Sequence, residues 1–127
     1  MAKPVVAVMS VAVMNMDEWK MNTDARLIYI TTETPQEART IGRALVEERL
    51  AACANILGPI TSIFRWDGGI QEGGETVLLA KTTSDRVDAL TERVINLHSY
   101  DCPCVAAFPI EGGNFAFLEW VLGEVDA

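Results

Sequence analysis

Residues 52–83 read ACANILGPITSIFRWDGGIQEGGETVLLAKTT, and this stretch decides the fold. From 52 to 66 the chain is apolar and rich in β-branched and aromatic residues, the composition of a strand. Its one interruption, Gly58-Pro59, places a residue without an N–H donor inside a ladder, which predicts a bulge or edge position and a bent strand. Trp66-Asp67-Gly68-Gly69 then supplies residues that tolerate positive φ, the chemistry of a tight hairpin. Residues 70–83 return as the partner strand, with a flexible point at Gly73-Gly74. Two long antiparallel strands on a small sheet leave exposed edges, and symmetric association is the common way to bury them.

Outward from this hairpin the periodicity alternates. Residues 26–32 are β-rich and stop at Glu33-Thr34-Pro35, so they form a strand ending in a turn. Thr34-Pro35-Gln36-Glu37 is a capping box with proline at the first helical position, where Glu37 reaches back to the cap. Ala38, Ile41, Gly42 and Leu45 form the inward face of a helix predicted over 35–50. After the hairpin, Ser84-Asp85 opens a second helix over 84–98, with Val87, Leu90, Val94 and Leu97 as its stripe. Residues 103–110 form a short apolar strand. Asn114 caps a last helix carrying Leu118, Val121, Leu122 and Val125 at helical spacing. The order βαββαβ plus a terminal helix is α+β, and right-handed crossovers fold it into a ferredoxin-like sandwich with both main helices on one face of a four-stranded antiparallel sheet.

Composition narrows the function. The chain has 127 residues, the size of one domain, and a net charge of -8. That charge argues against a nucleic-acid partner, whose phosphates need clustered Lys and Arg. Cys53, Cys102 and Cys104 are an odd number of cysteines in a chain large enough to fold without disulfides, which fits a reducing compartment, the cytoplasm. Lys3 followed by apolar residues 5–14 has the outline of a signal peptide. However, Pro4 and Ser10 interrupt it, and it falls short of the roughly 20 residues that cross a bilayer. Residues 1–24 are therefore expected to be a disordered or loosely packed extension, with Met14, Met16 and Met21 as alternative starts, and residues 25–127 a single domain. No membrane partner is expected.

Five runs stand in order along residues 26–122: Glu48-Arg49-Leu50-Ala51-Ala52-Cys53-Ala54-Asn55, Trp66-Asp67-Gly68-Gly69-Ile70, Glu75 through Lys81-Thr82-Thr83, His98-Ser99-Tyr100 with Pro103, and Leu118-Glu119-Trp120. In these runs the chain resembles the CutA divalent-cation tolerance family. The resemblance implies a ferredoxin-like fold, a compact homotrimer held by the long hairpins, and tolerance of divalent cations, notably copper. Copper ligation in bacterial relatives is attributed to a Cys ending the first strand and two adjacent His before a Pro-Tyr pair. The matching positions here are Ile30, Leu97, His98 and Ser99, so only His98 carries over.

Among the candidate site residues, His98 is the chain's one histidine. It stands at the expected end of the second helix, as a C-terminal cap or as a metal ligand or polar cleft residue. Cys102 and Cys104 flank Pro103, and residues i and i+2 of an extended segment share a side, so both thiols can face one region near His98. With an imidazole they would suit Cu(I) or Zn(II); as small apolar residues they would equally suit the start of a core strand. Cys53 reads as core. Glu75 and Lys81 lie on one face of one strand, as an intersubunit pair or as part of an intersubunit cleft walled by Trp66 and Tyr100, with Lys81 anchoring an anion. Trp66 and Trp120 have packing as their alternative role. With one histidine and no Gly-rich phosphate loop no catalytic set is assembled, so the chain reads as a binding protein rather than an enzyme. The expected function is a trimeric cation-tolerance protein. The alternative is a regulatory module similar to the PII-like trimers, binding a small anion at intersubunit clefts.

Overall fold

The computed structural model describes residues 23–125. The elements are β1 (Ala25–Thr32), α1 (Pro35–Glu47), β2 (Cys53–Trp66), β3 (Gly69–Thr83), a 3-10 turn (Ser84–Arg86), α2 (Val87–Leu97), β4 (Val105–Pro109) and α3 (Phe115–Val125). The strands form one antiparallel sheet in the order β2-β3-β1-β4, the expected ferredoxin-like arrangement. The expected extension over 1–24 lies outside the described residues except for Thr23 and Asp24.

The α1 stripe buries as its spacing predicts, with Ala38, Ile41, Gly42 and Leu45 all inside. They meet Ile28 and Ile30 of β1, Leu78 and Ala80 of β3, and Leu90 and Val94 of α2 in one core. Val121 and Val125 of α3 join Ala52 in a second, smaller cluster edged by Phe117 and Trp120. Leu27 and Phe108, paired across the β1–β4 ladder, lie on the face opposite Ile28, and there Phe108 remains 51% exposed.

Thr34 caps α1, its hydroxyl accepting from the Glu37 N–H at 3.1 Å. The Glu37 carboxylate completes the box one residue earlier than expected, on the Glu33 N–H at 3.0 Å. Thr34→Ala should lower stability by about 1 kcal/mol in a urea titration, the usual cost of losing such a cap; an unchanged midpoint would show that water replaces it.

Several boundaries differ from expectation. α1 ends at Glu47 rather than 50, because Arg49 takes φ 58° and the Leu50 and Arg49 N–H groups bond back to Leu45 and Val46, a Schellman cap made without glycine. The segment opening α2 is a 3-10 turn over Ser84–Arg86, where the Thr83 hydroxyl bonds Asp85 at 2.5 Å. α2 ends at Leu97, with His98 as its C-cap. β4 covers only Val105–Pro109, because its ladder to β1 runs only from Pro109 opposite Arg26 to Val105 opposite Ile30. The hairpin turn matches its reading: Asp67 and Gly68 take φ 50° and 78°, the two-residue turn whose twist suits paired strands. The predicted irregularity in β2 is also present, as a register shift between Leu57 and Ile60 around a cis Gly58-Pro59 bond.

Candidate functional site

The loop from His98 to Cys104 crosses the end of β1, and one polar network ties it there. Beyond the last β1–β4 pair, the Thr31 carbonyl has no ladder partner from β4. His98 supplies one, its Nε2 lying 2.8 Å from that oxygen. The other ring nitrogen, Nδ1, accepts the Tyr100 N–H at 3.0 Å. A carbonyl can only accept and a backbone N–H can only donate, so the imidazole is the neutral tautomer protonated at Nε2. Its side chain is 0% exposed, and the Tyr100 ring packs on it at 4.6 Å. Both nitrogens are committed, which leaves no lone pair for a metal.

Glu37 joins the two halves of this knot. Its Oε2 accepts the Ser99 N–H at 2.8 Å while Oε1 holds Glu33, linking the β1–α1 turn to the α2–β4 loop. Burial alone would raise its carboxyl pKa, but the hydrogen bonds from Glu33 and Ser99 outweigh it and the net shift is downward. A folded-state pKa below the unfolded one contributes stability above the ordinary value of 4.5, lost as pH falls through the lower folded value. Glu37→Gln should therefore flatten the stability profile on the acid side of pH 4.5, and a mutant profile parallel to wild type would refute this.

Beside the knot, the bent hairpin encloses a groove of about 650 Å3 against the loop. Trp66, Glu75, Tyr100, Cys102 and Cys104, named from sequence, all line it. Glu75 is held from both sides: Oε1 accepts the Ser62 hydroxyl at 2.5 Å and Oε2 the Tyr100 hydroxyl at 2.9 Å. Burial and the Glu75 carboxylate push the Tyr100 pKa up to about 12, so the phenol stays a donor. Cys102 and Cys104 are exposed rather than packed into the core. Burial around its sulfur and the Glu75 charge push the Cys104 thiol up.

Two expected members stand apart. Lys81 bonds Asn55 of β2, six residues along the strand from Glu75, roughly 20 Å at strand rise. Arg65, unremarked in the sequence, is the cation on the groove wall. Cys53 is half-buried and lines a separate groove with Arg39, Arg43 and Trp120. Among the described residues no group of three or more His, Cys, Asp or Glu is placed to hold a metal ion. The donor set His98, Cys102, Cys104 is not assembled: the two thiols face the groove, and the imidazole faces the fold. Among the described residues no helix is long and apolar enough to cross a membrane.

Residues 26–124 match the profile of the CutA1 divalent ion tolerance protein family. A divalent-cation tolerance protein CutA of Thermus thermophilus is 48% identical over 95 residues, 75% of this chain and 92% of the relative. The human protein CutA is 45% identical over 93 residues, where this chain spans about half (52%) of the relative's length. Among solved structures, the Thermus thermophilus divalent cation tolerance protein superposes with a TM-score of 0.77 at 46% identity, covering 79% of this chain and 97% of that one. A CutA from Xylella fastidiosa reaches 0.80 at 38% identity, covering 82% and 100%. One from Archaeoglobus fulgidus, described as periplasmic, gives 0.77 at 40%, covering 80% and 98%. With a ferredoxin-like sheet, a long bent hairpin and a profile match running from β1 into α3, this chain belongs to the CutA1 divalent ion tolerance family.

Proposed function

We propose that this chain is a homotrimeric binding protein of divalent-cation tolerance, clasped through its β2–β3 hairpins, with the hairpin groove as the seat of a metal ion or small ligand. It works in the cytoplasm by binding and carries out no turnover. The observation that carries the reading is the hairpin's apolar surface: Ile63, Trp66 and Ile70 are 68%, 58% and 62% exposed. Ile56, Leu57 and Phe64 add exposed apolar side chains along β2, on both faces of the hairpin, and among the described residues no strand lies beside its outer edge. Such apolar surface on an open edge invites association with further copies, and a closed ring leaves no edge over. The number three is taken from the family resemblance. For copper or another soft cation, Cys102 and Cys104 are the donors the groove presents; His98 serves the fold instead.

A second reading has its own support. Arg65 beside Trp66 and Phe64 gives the groove a cation and aromatic walls, which suit a small organic anion better than a bare metal.

Sedimentation equilibrium at micromolar concentration should return three chains, and the double substitution Ile63→Asp, Trp66→Asp should return one. A wild-type monomer would sink the assembly. Thermal scans of the trimer with Cu(I), Zn(II), nucleotides and organic acids then assign the ligand. A ligand at 100 times its Kd adds about 2.7 kcal/mol. No shift with any metal would sink the cation reading, and a shift with anions alone would establish the second.

A further inference from the structure

Cys102 and Cys104 supply none of the hydrogen bonds that hold His98, Glu37, Tyr100 and Glu75 together, although Cys104 bonds the Thr31 side chain. Pro103 between them locks its own φ and biases Cys102 toward extended backbone. Side chains at i and i+2 of an extended segment project to one side, and both residues do line the same groove. With one residue between them their Cα atoms lie no more than about 7 Å apart, and the chain bends at Cys102 rather than running on as strand, so tightening that bend brings the two Cβ atoms toward the roughly 3.5–4.5 Å that a disulfide needs. Both are free and exposed, while Cys53 is half-buried and lines a different groove. Arg65 and Gln71 on the facing wall offer donors to carboxylate and amide groups, the chemistry of a small peptide.

We propose that Cys102-Pro103-Cys104 is a thiol–disulfide exchange site, which accepts a small peptidyl disulfide of the glutathione type in the hairpin groove and ends as an internal disulfide. The Cys102 thiolate attacks one sulfur of the incoming disulfide. That S–S bond breaks, one thiolate leaves and takes up a proton, and a mixed disulfide remains on Cys102. Cys104 then gives its proton to solvent and attacks the Cys102 sulfur, which forms the Cys102–Cys104 bond and expels the second thiol. Two electrons pass from the protein dithiol to the external disulfide, and its two halves carry away the two protons. The order follows from surroundings: Cys104 is held by a hydrogen bond with the Thr31 side chain and stands by the Glu75 carboxylate, which leaves Cys102 the freer thiol for the first attack. The site needs no cation, and a metal held by both thiols would block it, so the test is run on protein freed of metal by a chelator.

The test uses the reduced full-length protein and oxidised glutathione at mildly alkaline pH, with acid quenching and intact mass measurement. Wild type and Cys53→Ser should lose two hydrogens, with peptide mapping placing the bond between Cys102 and Cys104. Cys104→Ser should stop as an adduct one glutathione heavier, and Cys102→Ser should react at least about tenfold more slowly. Far-ultraviolet melting checks that each variant folds. Stable glutathione adducts on both residues of wild type, a concentration-dependent cross-link between chains, or equal rates for the two serine variants would each overturn the proposal.

Discussion

Leu78→Ala is expected to lower the unfolding free energy by about 2–5 kcal/mol, the range for truncating a fully buried leucine. Leu78 is 0% exposed at the middle of β3, a strand paired on both sides, with Ile30 opposite it on β1 and Ile56 opposite it on β2. Its neighbourhood has little room to collapse into the space. The helix above reaches it at Gly42, where an added Cβ would already lie 3.1 Å from a Leu78 methyl. That closeness means α1 and β3 are near contact through a residue with no side chain, so no longer side chain can swing in to fill the cavity. Urea titration should show a lower midpoint with an unchanged slope, since the surface exposed on unfolding hardly changes. A loss below about 1 kcal/mol would mean that α1 moves toward the sheet.

His98→Ala is expected to be comparably severe, for a different reason. The substitution leaves the Thr31 carbonyl and the Tyr100 N–H without partners, at about 1–3 kcal/mol for each buried polar group left unsatisfied. It also removes the ring on which Tyr100 packs, so the loop over residues 99–104 should exchange its amide hydrogens faster than in wild type. A metal-binding role for His98 predicts another pattern. Unfolding measured with and without a strong chelator separates the two: the loss should be the same in both. A loss appearing only when metal is present would show that the imidazole serves a cation rather than the fold.

Much of this architecture was legible along the chain because its signals are local. The stripe Ala38, Ile41, Gly42, Leu45 repeats at the helical period, and burial follows the period wherever a helix rests on a sheet. The Asp67-Gly68 turn and the Gly58-Pro59 break also act within a few residues, through allowed φ and a missing donor. The misjudged ends were those without a local mark. Arg49 closes α1 in a conformation that glycine usually announces, and an arginine gives no such notice.

The candidate site was legible in its parts and not in its assembly. Five of the named residues do line one groove, because β2 bends between Leu57 and Ile60 and the hairpin faces the loop before β4. Lys81 shares a strand face with Glu75, but strand rise sets them roughly 20 Å apart, and Arg65 across the hairpin takes the place expected of Lys81. His98 looked available because a lone histidine at a helix end carries no sign of what its ring will meet.

By itself, the sequence determined the order of elements, the faces they bury, the hairpin turn and the family, since all of these depend on neighbours within a turn of helix or a pair of strands. Only the tertiary structure decided which polar atoms meet. The Thr31 carbonyl lacks a strand partner because β4 stops one pair short, and His98, 67 positions along the chain, is carried to it by the packing of α2. A donor and acceptor so distant in sequence are paired by sheet register and helix placement. That pairing commits the imidazole to the fold and leaves Cys102 and Cys104 as the exposed sulfur chemistry of the groove.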